Sequence, residues 1–140
     1  MRAVISTIIV QALRNRPVEI GSTWPTRDFN FVKDIVRGFA LAGCVENVLG
    51  EVFNLGTGEE HSIAEVISIV SDALGTPLLV REASDRVRPP ASEVGRLIAD
   101  SSKAKQYLGW VPQYTFREGL EQTIEWYAQH EQAITYVHTL

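Results

Sequence analysis

At 140 residues the chain is the size of one domain, long enough to bury a core and short for a complete two-domain enzyme. Hydrophobic residues at 45% and charged residues at 21% exclude a disordered chain, and a net charge of −4 leaves no reason to expect a nucleic-acid partner, so any bound phosphate is expected on a small molecule. Cys44 is the single cysteine, which rules out an intrachain disulfide and a cysteine-based zinc site, and its apolar neighbours predict a buried thiol in a reducing, cytoplasmic setting.

The chain opens on an apolar run that Gln11, Arg14, Asn15 and Arg16 end well short of a membrane span, and no small-residue cleavage site follows it. Val4, Ile8, Ile9 and Leu13 instead predict a helix over 3–14 packed on a core, stopped by Pro17. A short strand at 17–20, a turn at 21–25 and a brief extended segment at 27–31 should follow. A second helix is expected over 32–42, with Val32, Ile35, Val36 and Phe39 on one face and Gly43 marking its end or a loosening of its last turn.

Residues 51–55 read as a compact strand running into Gly56-Thr57-Gly58. Ser62 and Glu65 then form an S-x-x-E capping box ahead of Ile63, Val66, Ile67 and Val70, and this helix should close at Leu74-Gly75 before Pro77. A strand is expected at 78–81, an irregular charged stretch at 82–94, and a last short strand at 97–99. Asp100 or Ser101 should cap a small helix over 102–108. Thr115 and Glu118 make a second capping box for a helix over 116–129, with Leu120, Ile124 and Tyr127 on one face. The tail over 131–140 has weak periodicity and is read as frayed, and no linker divides the 1–130 domain.

Gly56-Thr57-Gly58 after a strand invites comparison with a dinucleotide-binding fingerprint, but His61 stands where the third glycine belongs, and a helix fills the interval before the acidic residue that fingerprint needs. A tight strand-to-helix turn is the preferred reading. His61, His130 and His138 lack paired metal-ligand spacing and are read as exposed or capping residues. Asp28 and Asp34 would suit an acid/base pair, but Asp34 more simply pins the start of the second helix.

The arginines carry more chemistry. Arg27 follows a turn and sits ahead of Phe29 and Phe31, a rigid base for a guanidinium that suits a phosphate. Arg81, Arg86, Arg88 and Arg96 crowd a stretch stiffened by Pro89-Pro90. A diphosphate needs guanidinium forks from different directions, which such residues supply if the fold gathers them. The alternative is a solvated loop balanced by Glu82, Asp85 and Glu93.

Four segments in order carry a resemblance: Arg27-Asp28-Phe29-x-Phe31-Val32-x-Asp34; Phe53-Asn54-Leu55-Gly56-Thr57-Gly58; Asp100-x-Ser102-Lys103-Ala104 with Leu108-Gly109-Trp110; and Gly119-Leu120 with Thr123-Ile124-x-Trp126. Together they resemble the C-terminal, substrate-binding part of the extended short-chain dehydrogenase/reductases that act on nucleotide sugars. Arg86-Val87-Arg88-Pro89, Ser92-Glu93-Val94 and Arg96-Leu97 further resemble the 4,6-dehydratases, with epimerases close behind. The resemblance implies an α/β fold: part of an extended Rossmann-type enzyme, with helices and a few short strands, and with the dinucleotide-binding half absent.

It also implies roles. Arg27 matches the family's phosphate-binding arginine and Arg88 the second arginine on the diphosphate, with Arg86 as the fallback. Ile20, Phe29 and Ile63 fall where the family lines the nucleotide pocket, and Glu93 near a position that contacts ribose. Two family features are missing: the glycine-rich NAD-binding turn and the Tyr-x-x-x-Lys catalytic pair. Tyr107, Tyr114, Tyr127 and Tyr136 are followed four residues later by Val111, Glu118, Glu131 and Leu140, so no lysine stands ready to lower a tyrosine pKa. The expectation is therefore a nucleotide-sugar-binding half with no catalytic residue and no cofactor or metal of its own, NAD being implied only for the complete enzyme. The expected partners are a nucleotide-diphosphate sugar and the missing half; the alternative is a noncatalytic binding or self-association module.

Overall fold

The computed structural model describes residues 3–87 and 89–130, and its elements run α1 (Val4–Leu13), β1 (Val18–Ile20), β2 (Thr26–Arg27), α2 (Val32–Cys44), β3 (His61–Ser62), α3 (Ile63–Leu74), β4 (Val80–Glu82), β5 (Arg96–Leu97), α4 (Ser102–Leu108) and α5 (Phe116–Gln129). The mixed α/β class implied by the resemblance is the one observed. Both capping boxes form. Ser62 Oγ accepts the Glu65 amide at 3.1 Å and the Glu65 carboxylate accepts the Ser62 amide at 2.6 Å, while Thr115 and Glu118 exchange the same pair of bonds at 3.3 and 2.8 Å. Gly75 and Gly109 close α3 and α4 in the left-handed conformation. At α4 the cap is Asp100, whose carboxylate accepts the Ser102 amide at 2.9 Å; Ser101 makes no side-chain cap.

The chain forms two compact units that interleave in sequence. One comprises Met1–Pro25, Ser62–Gly95 and Leu120–Leu140, the other Thr26–His61 and Arg96–Gly119. No composition shift marks the crossings, which is why the sequence shows no linker.

In the first unit β1 and β4 pair in parallel, Val18 opposite Val80 and Ile20 opposite Glu82. α1 is buried almost all round, from Thr7 through Ala12, and Ile8, Ile9, Val10, Val18, Val66 and Val70 are sealed from solvent. Its buried Gln11 substitutes for a strand partner: Oε1 accepts the Glu19 amide at 3.0 Å and Nε2 donates to the Glu19 and Thr7 carbonyls at 3.4 and 3.1 Å.

In the second unit β2 pairs in parallel with β5, within a sheet ordered β3-β2-β5. Ala104, Leu108 and Trp110 form its core, against which Leu41, Val45, Val48, Phe53 and Leu55 pack.

Several expectations are corrected. Residues 51–55 are irregular, because no neighbouring strand among the described residues offers them a ladder. The late strands sit at Val80–Glu82 and Arg96–Leu97, each displaced from its expected position by the register of its partner. α2 runs on to Cys44, two residues past its expected end, with Gly43 in its last turn. The Cys44 thiol is exposed, since α2 ends with its last turn turned outward. Most consequentially, the apolar face of α2 is not the one turned inward: the helix buries Asp34 and Gly38 and leaves Val32, Val36 and Phe39 exposed. The tail over 131–140 and Arg88 lie outside the described residues.

Candidate functional site

Arg27 ends β2, with its backbone opposite Leu97 and its half-buried side chain donating from Nη1 to the Thr26 carbonyl at 2.7 Å. The next residue explains its rigidity. Asp28 donates its amide to the Leu97 carbonyl at 3.0 Å, and its carboxylate accepts the Thr57 amide (3.0 Å), the Thr57 hydroxyl (2.7 Å), the Gly58 amide (3.1 Å) and the Ala99 amide (3.3 Å). One carboxylate thus fastens the end of β2 to two segments distant in sequence. Gly56 packs so closely that a Cβ would meet the Ala99 methyl and lie 2.6 Å from the Asp28 carboxylate, and Ser101 Oγ holds the Gly56 carbonyl at 2.9 Å.

The other side of β2 is occupied by a salt-bridged pair. Thr26 stands opposite Arg96 across the ladder, and Glu60 joins them, accepting from Thr26 Oγ1 at 2.6 Å and from Arg96 Nε at 2.9 Å. Hydrogen bonds from Arg96 and then Thr26 hold the Glu60 carboxyl below the usual glutamate range, and Glu60 in turn raises Arg96. Successive strand residues face opposite sides, so Glu60 neutralises Arg96 on one face while Arg27 leaves from the other. Two residues on from Arg27 an aromatic column begins: Phe29 stacks on Phe116 at 5.5 Å between ring centroids, and Phe116 on His61 at 4.2 Å.

The remaining site candidates of the sequence belong to the first unit. Ile20 is buried at the end of β1 and Ile63 is buried at the first position of α3. The Ile63 and Ala64 amides, which an isolated helix would leave unpaired, donate to the carbonyls of Pro25 and Thr23 at 3.3 and 3.0 Å. The loop leading towards Arg27 is thereby docked on α3. Arg86 donates from Nη1 to the Glu19 carbonyl at 2.7 Å, tying the 84–86 turn to β1, where the Ala83 amide also meets the Ile20 carbonyl at 2.8 Å. Glu93 is half-buried. The structure therefore brings Ile20 and Arg86 to one end of β1, and Arg27 and Phe29 to one end of β2.

Two residues turn out to matter in a way that residue reading missed. Asp28 and Asp34 are no acid/base pair, for each carboxylate is filled with backbone donors. Asp34 accepts the Gln113 and Tyr114 amides at 2.9 and 3.2 Å and pairs with Arg37 at 3.1 Å, pinning the 113–114 segment rather than only its own helix. No short-range pattern signals such contacts. Among the described residues no group of three or more His, Cys, Asp or Glu is placed to hold a metal ion, and no helix is long and apolar enough to cross a membrane.

The sequence profile of the GDP-mannose 4,6 dehydratase family matches residues 1–123. A curated UDP-glucose 4-epimerase from Mycolicibacterium smegmatis is 32% identical over 130 residues, which is 92% of this chain and 40% of that protein. Among solved structures, an epimerase from Methanothermobacter thermautotrophicus superposes with a TM-score of 0.85 at 35% identity, covering 96% of this chain and 40% of its own. The UDP-glucuronic acid 4-epimerase from Bacillus cereus, solved in complex with UDP-glucuronic acid and NAD, superposes at 0.82 with 30% identity, covering 91% and 40%. The chain thus spans about 40% of the length of the relatives it matches. The 56–58 turn does not fit a dinucleotide phosphate: the Thr57 and Gly58 amides, which a phosphate-binding turn would leave open, are already taken by the Asp28 carboxylate.

Proposed function

This chain belongs to the GDP-mannose 4,6 dehydratase family of NAD-dependent nucleotide-sugar epimerases and dehydratases, and on that premise we propose that its 140 residues are the nucleotide-sugar-binding portion of a 4,6-dehydratase or epimerase. The observation that carries this reading is the mount of Arg27. Its backbone is paired with β5, the neighbouring Asp28 carboxylate is held by the Thr57 and Ala99 amides, and Glu60 is committed to Arg96 on the opposite face. A guanidinium on so stiff a base loses little freedom when it binds a phosphate.

In this reading Arg27 and Arg88 bind the diphosphate, Arg86 serves in place of Arg88 if the loop register shifts, Ile20, Phe29 and Ile63 line the nucleotide pocket and Glu93 meets the ribose. Binding energy spent on the diphosphate then orients the hexose, which is the work this portion does for the whole enzyme. NAD supplies the redox chemistry of the complete enzyme, and this chain does not hold it. Without Tyr-x-x-x-Lys the chain alone is not expected to catalyse the reaction. The single cysteine, Cys44, supports a reducing, cytoplasmic setting.

Calorimetric titration with UDP, GDP and dTDP tests the assignment. Loss of one charge-assisted phosphate contact should weaken binding about 10- to 100-fold for Arg27→Ala. Ordinary affinity in the Arg27→Ala, Arg88→Ala double variant would sink it.

A further inference from the structure

The three tryptophans of the chain have different surroundings. Trp110 is fully buried, with its Nε1 donating to the Asp34 carbonyl at 2.8 Å, and Trp126 stacks on His130 at 4.5 Å and meets Tyr127 edge-on at 5.2 Å. Trp24 is 61% exposed, and among the described residues no ring stacks on its indole and no group hydrogen-bonds to it. The backbone that carries this exposed ring is nonetheless clamped. Gly21 lies so close to the 84–86 turn that a Cβ there would stand 2.4 Å from the Arg86 carbonyl oxygen. The carbonyls on either side of Trp24, those of Thr23 and Pro25, accept the Ala64 and Ile63 amides at the start of α3. Pro25 also restricts the residue before it to extended backbone. The far edge of the indole rests on Gly95, where a Cβ would lie 2.9 Å from Cζ3 and 3.2 Å from Cη2, so a side chain at 95 would displace the ring. All of these residues belong to the first unit. A large apolar ring on a fixed backbone loses little freedom when a ligand covers it.

We propose that Trp24 is a further substrate-binding residue, whose indole takes the nucleobase of the nucleotide sugar by stacking. The inference rests on the reading above and deepens it, because that reading supplies arginines for the diphosphate and aliphatic walls for the pocket. Phe29 is the one ring in that set, and Phe116 already occupies a face of it. The 21–25 loop starts directly after Ile20 and is bonded to the Ile63 amide, so Trp24 stands beside two residues read as lining the nucleotide pocket. Arg27 follows three residues later, which keeps the two Cα atoms within about 11 Å of each other. The hexose has to reach a nicotinamide that this chain does not hold, whereas the base needs only a surface of this chain. A flat indole without polar partners suits a planar base, and it does so for purines and pyrimidines alike, since each presents a π-face.

Tryptophan fluorescence and calorimetry test it, with inorganic pyrophosphate and whichever of UDP, GDP and dTDP binds most tightly. The nucleotide should quench the tryptophan emission, and the quench should persist in Trp126→Phe and vanish in Trp24→Phe. Trp24→Ala should weaken nucleotide binding about 10-fold and leave pyrophosphate binding and Tm unchanged, while Trp24→Phe should keep most of the affinity. Nucleotide binding that needs Arg27 but is the same in Trp24→Ala would overturn this inference and leave the assignment of Arg27 standing. Equal losses of nucleotide and pyrophosphate affinity in Trp24→Ala would also overturn it, because the ring would then only brace the loop ahead of Arg27. So would a loss seen with the glucose conjugate of the nucleotide and absent with the nucleotide itself, which would give the ring to the hexose. A chain that binds neither nucleotide nor pyrophosphate would overturn this inference and the reading beneath it together.

Discussion

The Asp28 carboxylate accepts both the backbone amide and the hydroxyl of Thr57, at 3.0 and 2.7 Å. With the Gly58 and Ala99 amides on the same carboxylate, the residue next to Arg27 is the junction of three segments. Asp28→Ala strands those amides and should cost about 1–3 kcal/mol in urea denaturation, whereas Thr57→Val, which removes one hydroxyl, should cost about 1 kcal/mol. Asp28→Asn should also weaken nucleoside diphosphate binding without touching the ligand, by loosening Arg27. Unchanged stability in Asp28→Ala would show that the junction is not needed to hold β2.

Gly38 faces the core of the second unit so closely that a Cβ there would collide with a Leu55 methyl and approach the Trp110 indole nitrogen to 3.1 Å. That nitrogen donates to the Asp34 carbonyl at 2.8 Å. Gly38→Val should therefore destabilise by about 1–3 kcal/mol through overpacking, despite the better helix propensity of most residues over glycine. Trp110→Phe keeps most of the apolar volume and loses the indole donor, and should cost about 1–3 kcal/mol. Near-UV circular dichroism and denaturant midpoints separate loosened packing from a lost hydrogen bond.

The capping boxes give α3 and α5 separable handles. Ser62→Ala should cost about 1 kcal/mol. For α5, the Thr115 amide and then its hydroxyl hold the Glu118 carboxyl below the usual glutamate range. A depressed folded-state pKa means that this stabilisation is complete above the ordinary glutamate pKa and is lost as pH falls through the lower folded value. Asp100, lowered by the Ser102 hydroxyl and then the Ser102 amide, behaves in the same sense. Acid unfolding of Glu118→Gln should accordingly show a shallower decline below the carboxylate range than the parent chain; an identical profile would count against the box.

Glu60 and Arg96 meet at 2.9 Å near solvent, so screening limits what their pairing contributes. Glu60→Gln should shift stability only slightly, and the shift should shrink as salt is raised from low to molar concentration. Because Glu60 is lowered, its contribution also fades with acid rather than with base. A large, salt-insensitive loss would mean that Glu60 supports β2 through Thr26 more than through Arg96.

What the residues alone determined here is what depends on neighbours three or four positions away. Ser62-x-x-Glu65 and Thr115-x-x-Glu118 start their helices as expected, and Gly75 and Gly109 end theirs, because the donors and acceptors involved lie within one turn. The order of four motifs likewise identified the family. Only the tertiary structure decided which side of α2 faces inward, since Val32, Val36 and Phe39 make a better apolar stripe than Asp34 and Gly38 until Trp110 and the 113–114 amides claim the latter. Residues 51–55 have a strand's composition, but pairing needs a second chain segment that these residues cannot specify. Arg27 was legible as a residue suited to phosphate. Its rigidity was not, because it comes from Asp28 bonding to Thr57, Gly58 and Ala99, partners 29 to 71 residues away that only folding brings to one carboxylate.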